Sequence, residues 1–139
     1  MIRTFSLAAL VVIATGCVST FDRLPVEYEF LDDPPGQRVE LRYRNTLDFA
    51  TCLLPGSWPN LGGKINQASS YVFLVVGAER FPIRDWNTGS CVEPDGCATH
   101  VAPGERVSAF ISYSDFGLPE RLFEQPKSLD FTPVAYKCR

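Results

Sequence analysis

Five cysteines and one histidine carry most of the chemistry available to this 139-residue chain. The cysteines are Cys17, Cys52, Cys91, Cys97 and Cys138. A zinc site built from four cysteines usually draws on two Cys-x-x-Cys pairs, and the sequence contains none. Cys97 stands close to the histidine, His100, but a Cys–His nucleophile needs a free thiolate, which a disulfide would remove. The sequence predicts disulfide bonds, no metal site and no cofactor.

Four of the cysteines can pair in three ways. Cys91 and Cys97 flank a segment whose Pro94 and Asp95-Gly96 can turn the chain back, which favours a local bridge between them. That pairing leaves Cys52 and Cys138 to join an early strand to the last one. Such a framework is typical of an oxidising, exported environment.

The first sixteen residues have the layout of a secretory signal. Arg3 supplies a positive charge, residues 5–13 are apolar except for Ser6, and small residues follow. A membrane-spanning helix needs about 20 apolar residues, and this stretch is shorter. We therefore leave residues 1–16 out of the prediction of the fold.

The segment Ala14-Thr15-Gly16-Cys17 resembles the lipobox of bacterial lipoproteins. The usual motif has Leu where this chain has Ala14, and Ala14 and Gly16 would also suit an ordinary signal peptidase. The resemblance implies that Cys17 is acylated and becomes the first residue of the mature protein. Because Val18 follows rather than Asp, it also implies sorting to the outer membrane in a Gram-negative cell.

The number of cysteines supports lipid on Cys17. An odd count in an exported protein leaves one thiol to explain, and lipidation leaves four that can pair completely. Two or more acyl chains hold a protein stably on a bilayer, whereas a single chain does not. The sequence thus predicts a cell-envelope protein whose membrane partner is reached through lipid on Cys17.

Length and charge limit the rest of the chain to one domain without a nucleic-acid partner. Without Arg3, twelve basic residues face sixteen acidic ones, so the formal net charge changes from −3 to −4. The charges are interspersed, and no basic run is present to neutralise phosphates. We predict a signal peptide at 1–16, a lipidated tether at 17–37 and a single disulfide-bonded β domain at 38–139.

Strand patterns recur along the predicted domain. Residues 39–44 alternate between apolar and charged side chains, the pattern of a half-buried strand. The run at 71–76 is apolar enough for a central strand buried on both faces, and Pro82 places the strand at 80–83 on an edge. Other strands are predicted at residues 26–30, 49–54, 107–113, 129–131 and 134–138.

Turn-forming clusters separate these strands, and only residues 119–124 suggest a short helix. Seven to nine strands at such spacing predict an all-β fold. We expect an antiparallel two-sheet β-sandwich, immunoglobulin-like, with a small β-barrel as the alternative.

Motifs for catalysis are lacking. Ser57 lacks the Gly-x-Ser-x-Gly elbow, and Gly62-Gly63-Lys64 lacks the remainder of a phosphate-binding loop. Asp85–Ser90 is only loosely similar to a calcium loop, and Asx-turn chemistry explains the same residues. We predict that the protein is not an enzyme.

Dispersed carboxylates are the one catalytic alternative. Such a site would require several acidic side chains and the histidine to converge in one pocket. The residues whose convergence would favour it are Asp85, Glu93, Asp95, His100 and Asp115.

Four large apolar side chains lie in or beside predicted loops: Trp58, Trp86, Phe116 and Leu118. Exposed together, they would form a binding surface; folded back, they would cap the ends of the sandwich. We predict a membrane-anchored, non-catalytic binding or structural domain with an envelope protein, peptide or glycan as its partner. The alternative is an inhibitor of a host hydrolase such as lysozyme, because Tyr136-Lys137-Cys138 resembles small disulfide-bonded lipoproteins of that kind over three residues.

Overall fold

The computed structural model describes residues 23–54, 56–65, 72–85 and 99–138. Ten strands and two short helical segments lie in these ranges. The strands are β1 (Leu24–Pro25), β2 (Tyr28–Asp33), β3 (Arg38–Arg44), β4 (Thr51–Leu53), β5 (Phe73–Val76), β6 (Glu79–Pro82), β7 (Thr99–Val101), β8 (Arg106–Ser112), β9 (Lys127–Asp130) and β10 (Val134–Lys137). A four-residue α-helix, α1 (Tyr113–Phe116), follows β8, and Glu120–Leu122 form one turn of 3-10 helix.

The strands form three antiparallel sheets. The first has the order β1-β10-β4-β7, the second β2-β3-β8 and the third β6-β5-β9. Within the described ranges the sheets are open, and their apolar faces share one hydrophobic core. The prediction of an all-β, sandwich-like fold is confirmed, with the strands divided among three sheets.

The alternation along β3 determines which of its side chains reach the core. Val39, Leu41 and Tyr43 are buried, whereas Arg42 and Arg44 point outward and are exposed. Successive side chains of a strand point to opposite faces, so a one-residue shift would bury the arginines. The sequence pattern therefore fixes the face that β3 turns to the solvent.

The domain begins earlier than residue 38. β1 pairs with β10 and β2 pairs with β3, so residues 24–33 belong to the fold rather than to a tether. The strand predicted at 26–30 corresponds to β2, which lies at an edge of the second sheet. The predicted tether at 17–37 was too long, because cross-strand hydrogen bonds to β3 order its second half.

Other elements differ in detail from the prediction. β5 is central in its sheet, but Phe73 and Val75 are only half-buried, so the strand is not covered on both faces. β6, which contains Pro82, is an edge strand as predicted. The short β7 was not predicted, and the expected helix at 119–124 is a single 3-10 turn.

The helix α1 was also missed by the sequence pattern. It continues directly from β8 and ends at Gly117, which has a φ of 63°. Glycine is suited to this left-handed conformation because it has no Cβ. No helix in the described part of the chain is long and apolar enough to cross a membrane.

Candidate functional site

Three of the four large apolar side chains considered for a binding surface are buried. Trp58, Phe116 and Leu118 are core residues, with exposed fractions of 2%, 0% and 6%. Trp58 packs edge-on against Tyr43, with ring centroids 6.3 Å apart. Burying a large apolar side chain stabilises a fold by about 1.5–3 kcal/mol, so these side chains pack into the core. Of the two alternatives, burial rather than exposure therefore holds for these three residues, and Trp86 lies outside the described residues.

Two of the five residues of the dispersed-carboxylate hypothesis do meet. The Asp85 and Asp115 carboxylates accept hydrogen bonds from the Lys64 ammonium at 2.6 and 2.5 Å. Burial alone would lower the pKa of Lys64, but the hydrogen bonds to Asp115 and Asp85 raise it above its ordinary value. An acid that is already held by an ammonium is poorly placed to exchange protons with a substrate.

The remaining residues of that hypothesis do not join this cluster. His100 lies in β7 beside Cys52, and Glu93 and Asp95 lie outside the described residues. Asp115 is almost fully buried, with 4% of its side chain exposed, so its carboxylate makes its contacts within the protein, next to α1. Lys64 therefore forms structural ion pairs with both aspartates.

The long-range disulfide predicted between Cys52 and Cys138 is present. It connects β4 to the residue that follows β10, across a separation of 86 residues, with a Cα–Cα distance of 5.2 Å. Cys17, Cys91 and Cys97 lie outside the described residues, so lipidation at Cys17 and a Cys91–Cys97 bridge stay predictions. The cysteines that are described stabilise the first sheet.

A second polar cluster joins β2, α1 and β9. The Asp32 carboxylate accepts hydrogen bonds from the Tyr113 hydroxyl and, at 2.9 Å, from the Lys127 ammonium. Lys127, whose side chain is fully buried, also donates to the carbonyl oxygens of Phe123 and Gln125. All three ammonium N–H groups are used, so this lysine is not available to a ligand.

This cluster predicts a loss of stability in alkaline solution. Burial, followed by the hydrogen bond to Asp32 and its charge, raises the pKa of Tyr113 above its ordinary value. The unfolded chain then loses the Tyr113 proton at about pH 10 while the folded chain keeps it. The stability is complete below that pH and falls as the pH rises further.

Urea unfolding measured between pH 8 and pH 11 checks the alkaline prediction, with Tyr113→Phe as the comparison. The variant should be less stable at pH 8 because it lacks the hydrogen bond, yet its stability should decline less above about pH 10. Parallel curves for the two proteins would show that the Tyr113 proton is not linked to folding.

The best candidate site is a groove at one end of the second sheet. Its volume is about 780 Å³, and it lies where β2 begins, β3 ends and β8 begins. Arg42, Arg44 and Arg106 line one side, and Glu27 and Glu29 line the other. The groove therefore presents a basic wall beside an acidic one.

The basic wall contains two arginines placed directly opposite each other. In the antiparallel register of β3 and β8, Arg44 is the partner of Arg106. Like charges in this relation destabilise a sheet. Neither guanidinium forms an ion pair or a hydrogen bond with another described residue, whereas Arg42 contacts Glu40 at 3.3 Å. No acidic side chain of the described residues contacts either guanidinium, although Glu27 and Glu29 line the same groove and Glu29 is the cross-strand partner of Arg42.

Two other arginines have close acidic partners by comparison. At the opposite end of the same sheet face, Arg38 forms ion pairs with Asp33 at 3.1 Å and Glu40 at 2.8 Å. A smaller groove of about 350 Å³ contains Arg80, which is ion-paired with Asp130. The contrast singles out the end of the sheet that carries Arg44 and Arg106.

Sequence reasoning missed this groove because it depends on register. The sequence shows Arg42 and Arg44 on one face of a strand, but it does not show that Arg106 comes to lie opposite Arg44. A weak signal was available: β8 also starts with an arginine at an outward position, after the turn at residues 102–105. If β3 and β8 had been predicted to be neighbours, the outward arginines at this end of both strands would have suggested the site.

Comparisons with protein-family models, with curated proteins and with solved structures found no match. In the segment that resembles hydrolase inhibitors, Tyr136 is buried and the Lys137 ammonium lies 4.9 Å from the centre of the Phe49 ring. Both side chains therefore pack within the protein, around β10.

Proposed function

We propose that this protein is a lipid-anchored component of the cell envelope whose β domain binds an acidic peptide segment of another protein. The observation that carries this proposal is the facing pair Arg44 and Arg106 at the mouth of the groove. A carboxylate placed between two guanidinium groups relieves their repulsion and accepts charge-assisted hydrogen bonds from both. The domain acts by binding and not by catalysis.

The rest of the groove favours a peptide. Leu47, which is 39% exposed, and Leu24 supply apolar surface beside the arginines. A peptide offers both acidic and apolar side chains, whereas a glycan would rely on more hydrogen bonds and stacking rings. Glu27 and Glu29 select against long acidic runs, since a second carboxylate on their side would be repelled.

Membrane attachment through Cys17 is the second part of the proposal. If Cys17 carries lipid, only residues 18–23 separate it from β1. Such a segment spans at most about 20–25 Å when fully extended. The groove would then be presented close to the membrane surface, where it meets partners that belong to the envelope.

Metabolic labelling with palmitate and detergent partitioning test the anchor. Wild-type protein should incorporate label and enter the detergent phase, and Cys17→Ser should do neither while the β domain stays folded. Unlabelled wild-type protein would instead favour an ordinary signal peptide. That result would remove the anchor and leave the binding proposal untouched.

Binding and stability should respond to Arg44→Gln and Arg106→Gln in opposite directions. Each variant should weaken binding of a fluorescent peptide of alternating Glu and Leu by roughly tenfold to a hundredfold, because a hydrogen bond to a charged group contributes about 1.5–3 kcal/mol. Each should also raise the free energy of unfolding by about 0.2–1 kcal/mol, because the repulsion is relieved. Fluorescence anisotropy and urea unfolding measure the two effects.

The matched controls are a peptide with Gln in place of Glu and the protein variant Arg121→Gln. Arg121 is exposed and lies outside the groove, with its nearest acidic partner, Glu79, at 3.9 Å. The Gln peptide should bind weakly to every protein, and Arg121→Gln should bind like wild type. Equal affinity for both peptides would contradict the proposal. Complete competition by inorganic sulfate would indicate that the ligand is a simpler anion. Equal binding to anionic vesicles would indicate that it is a lipid surface.

A further inference from the structure

We propose that Cys52, Cys138 and His100 form a binding site for a zinc ion when the disulfide is reduced. The two sulfur atoms and a ring nitrogen of His100 all lie within 4.8 Å of one another. Thiolate and imidazole are the ligands that zinc prefers in proteins. This site lies in the first sheet, away from the arginine groove, and the inference is independent of the proposed function.

The distance between Cys52 and His100 already matches a tetrahedral zinc site. The Cys52 Sγ atom lies 3.5 Å from the His100 Nδ1 atom. Bonds of about 2.3 Å to sulfur and about 2.0 Å to nitrogen, at a tetrahedral angle, place the two ligand atoms about 3.5 Å apart. The two sulfurs need only to separate from bonding distance for a third ligand to become available.

The backbone of the first sheet holds these residues in place after reduction. Cys52 lies in β4, where its cross-strand partner in β7 is His100 and its partner in β10 is Tyr136. Beyond β10, the Cys138 backbone N–H donates to the Ala50 carbonyl at 3.0 Å. Because the ladders flank β4 on both sides, the three ligands do not depend on the disulfide alone for their placement.

One dithiol is enough to reduce the Cys52–Cys138 disulfide before zinc binds. The dithiol delivers two electrons and two protons to the Cys52–Cys138 bond and becomes a disulfide itself. Zinc then displaces both thiol protons, forming two sulfur–zinc bonds and one bond to His100. Since Cys138 is partly exposed and His100 is exposed, water completes the tetrahedron.

The test uses the full chain with Cys17, Cys91 and Cys97 changed to serine, so that only Cys52 and Cys138 can supply thiolates. After reduction with a phosphine, the protein is titrated with Co²⁺, whose absorption reports thiolate ligands, and then with Zn²⁺. We expect one Co²⁺ per chain, displaced by one Zn²⁺, and no cobalt–thiolate absorption from the oxidised protein.

The variants His100→Ala and Thr99→Ala separate ligation from folding, since both lie in β7 and Thr99 supplies no ligand. His100→Ala should weaken Co²⁺ binding at least tenfold, whereas Thr99→Ala should bind like the parent. If reduction unfolds the chain, Zn²⁺ should restore the circular dichroism of the parent and of Thr99→Ala, but not of His100→Ala. Equal binding or equal refolding in all three proteins, or no metal-dependent signal, overturns the inference.

Discussion

Replacement of both Cys52 and Cys138 by alanine should lower the free energy of unfolding by about 4.6 kcal/mol. The disulfide closes a loop with a separation of 86 residues, and the long loop restricts the unfolded chain more than a short one would. The first sheet is also the one that most depends on sequence-distant pairing, because β10 lies between β1 and β4. Urea unfolding of the two proteins under non-reducing conditions measures the difference.

The variant Cys91→Ala/Cys97→Ala is the matched control for the long disulfide. If these residues form the predicted local bridge, its loss should cost only about 2.4 kcal/mol in the same chain-entropy model. The Cys52–Cys138 variant should therefore be the less stable of the two. A larger loss of stability from the Cys91→Ala/Cys97→Ala variant would contradict this prediction, because the long disulfide would then contribute less than the local one.

The variant Asp32→Ala should lower the free energy of unfolding by about 1.5–3 kcal/mol, because it removes the charged acceptor of the hydrogen bonds from Lys127 and Tyr113. The Lys127 side chain is fully buried and lies 2.9 Å from the Asp32 carboxylate. The neighbouring carbonyl oxygens continue to accept its hydrogen bonds, but they carry no negative charge to replace that of Asp32. Chemical unfolding at pH 7 checks this prediction.

Asp33→Ala is the control, since Asp33 belongs to the same strand and forms a partly exposed ion pair with Arg38. Its loss should cost about 1 kcal/mol, because it removes an ion pair that is partly exposed and an exposed hydrogen bond from the Gly36 N–H. The double variant Asp32→Leu/Lys127→Met should recover part of the stability lost by Asp32→Ala, because it removes both charges. Similar losses for Asp32→Ala and Asp33→Ala would show that burial of Lys127 does not govern this cluster.

The strand pattern could be predicted because it follows from local alternation. The apolar positions of β3 and the proline of β6 each specify a face or an edge without reference to distant residues. The Cys52–Cys138 pairing was also accessible, since the local pair at 91 and 97 leaves only one complementary bond. These features depend on short spacings or on elimination.

The candidate site could not be predicted in the same way. Whether Arg44 faces Arg106 is decided by the β3–β8 register, and whether Trp58 is exposed is decided by how a loop packs on Tyr43. Both are long-range outcomes, and a sequence with loop aromatics is compatible with exposure or burial. The candidate site consists instead of charged residues of the second sheet, which are brought together by strand pairing.

The most direct test of the proposed function is an NMR titration of isotope-labelled protein with the peptide of alternating Glu and Leu. We expect saturable shifts of backbone amides at the groove, including Arg44, Leu47 and Arg106, which weaken as salt is added and are lost in Arg44→Gln/Arg106→Gln. Shifts confined to another surface would contradict an acid-binding role for this face. The absence of shifts with both the Glu peptide and the Gln peptide would contradict it as well.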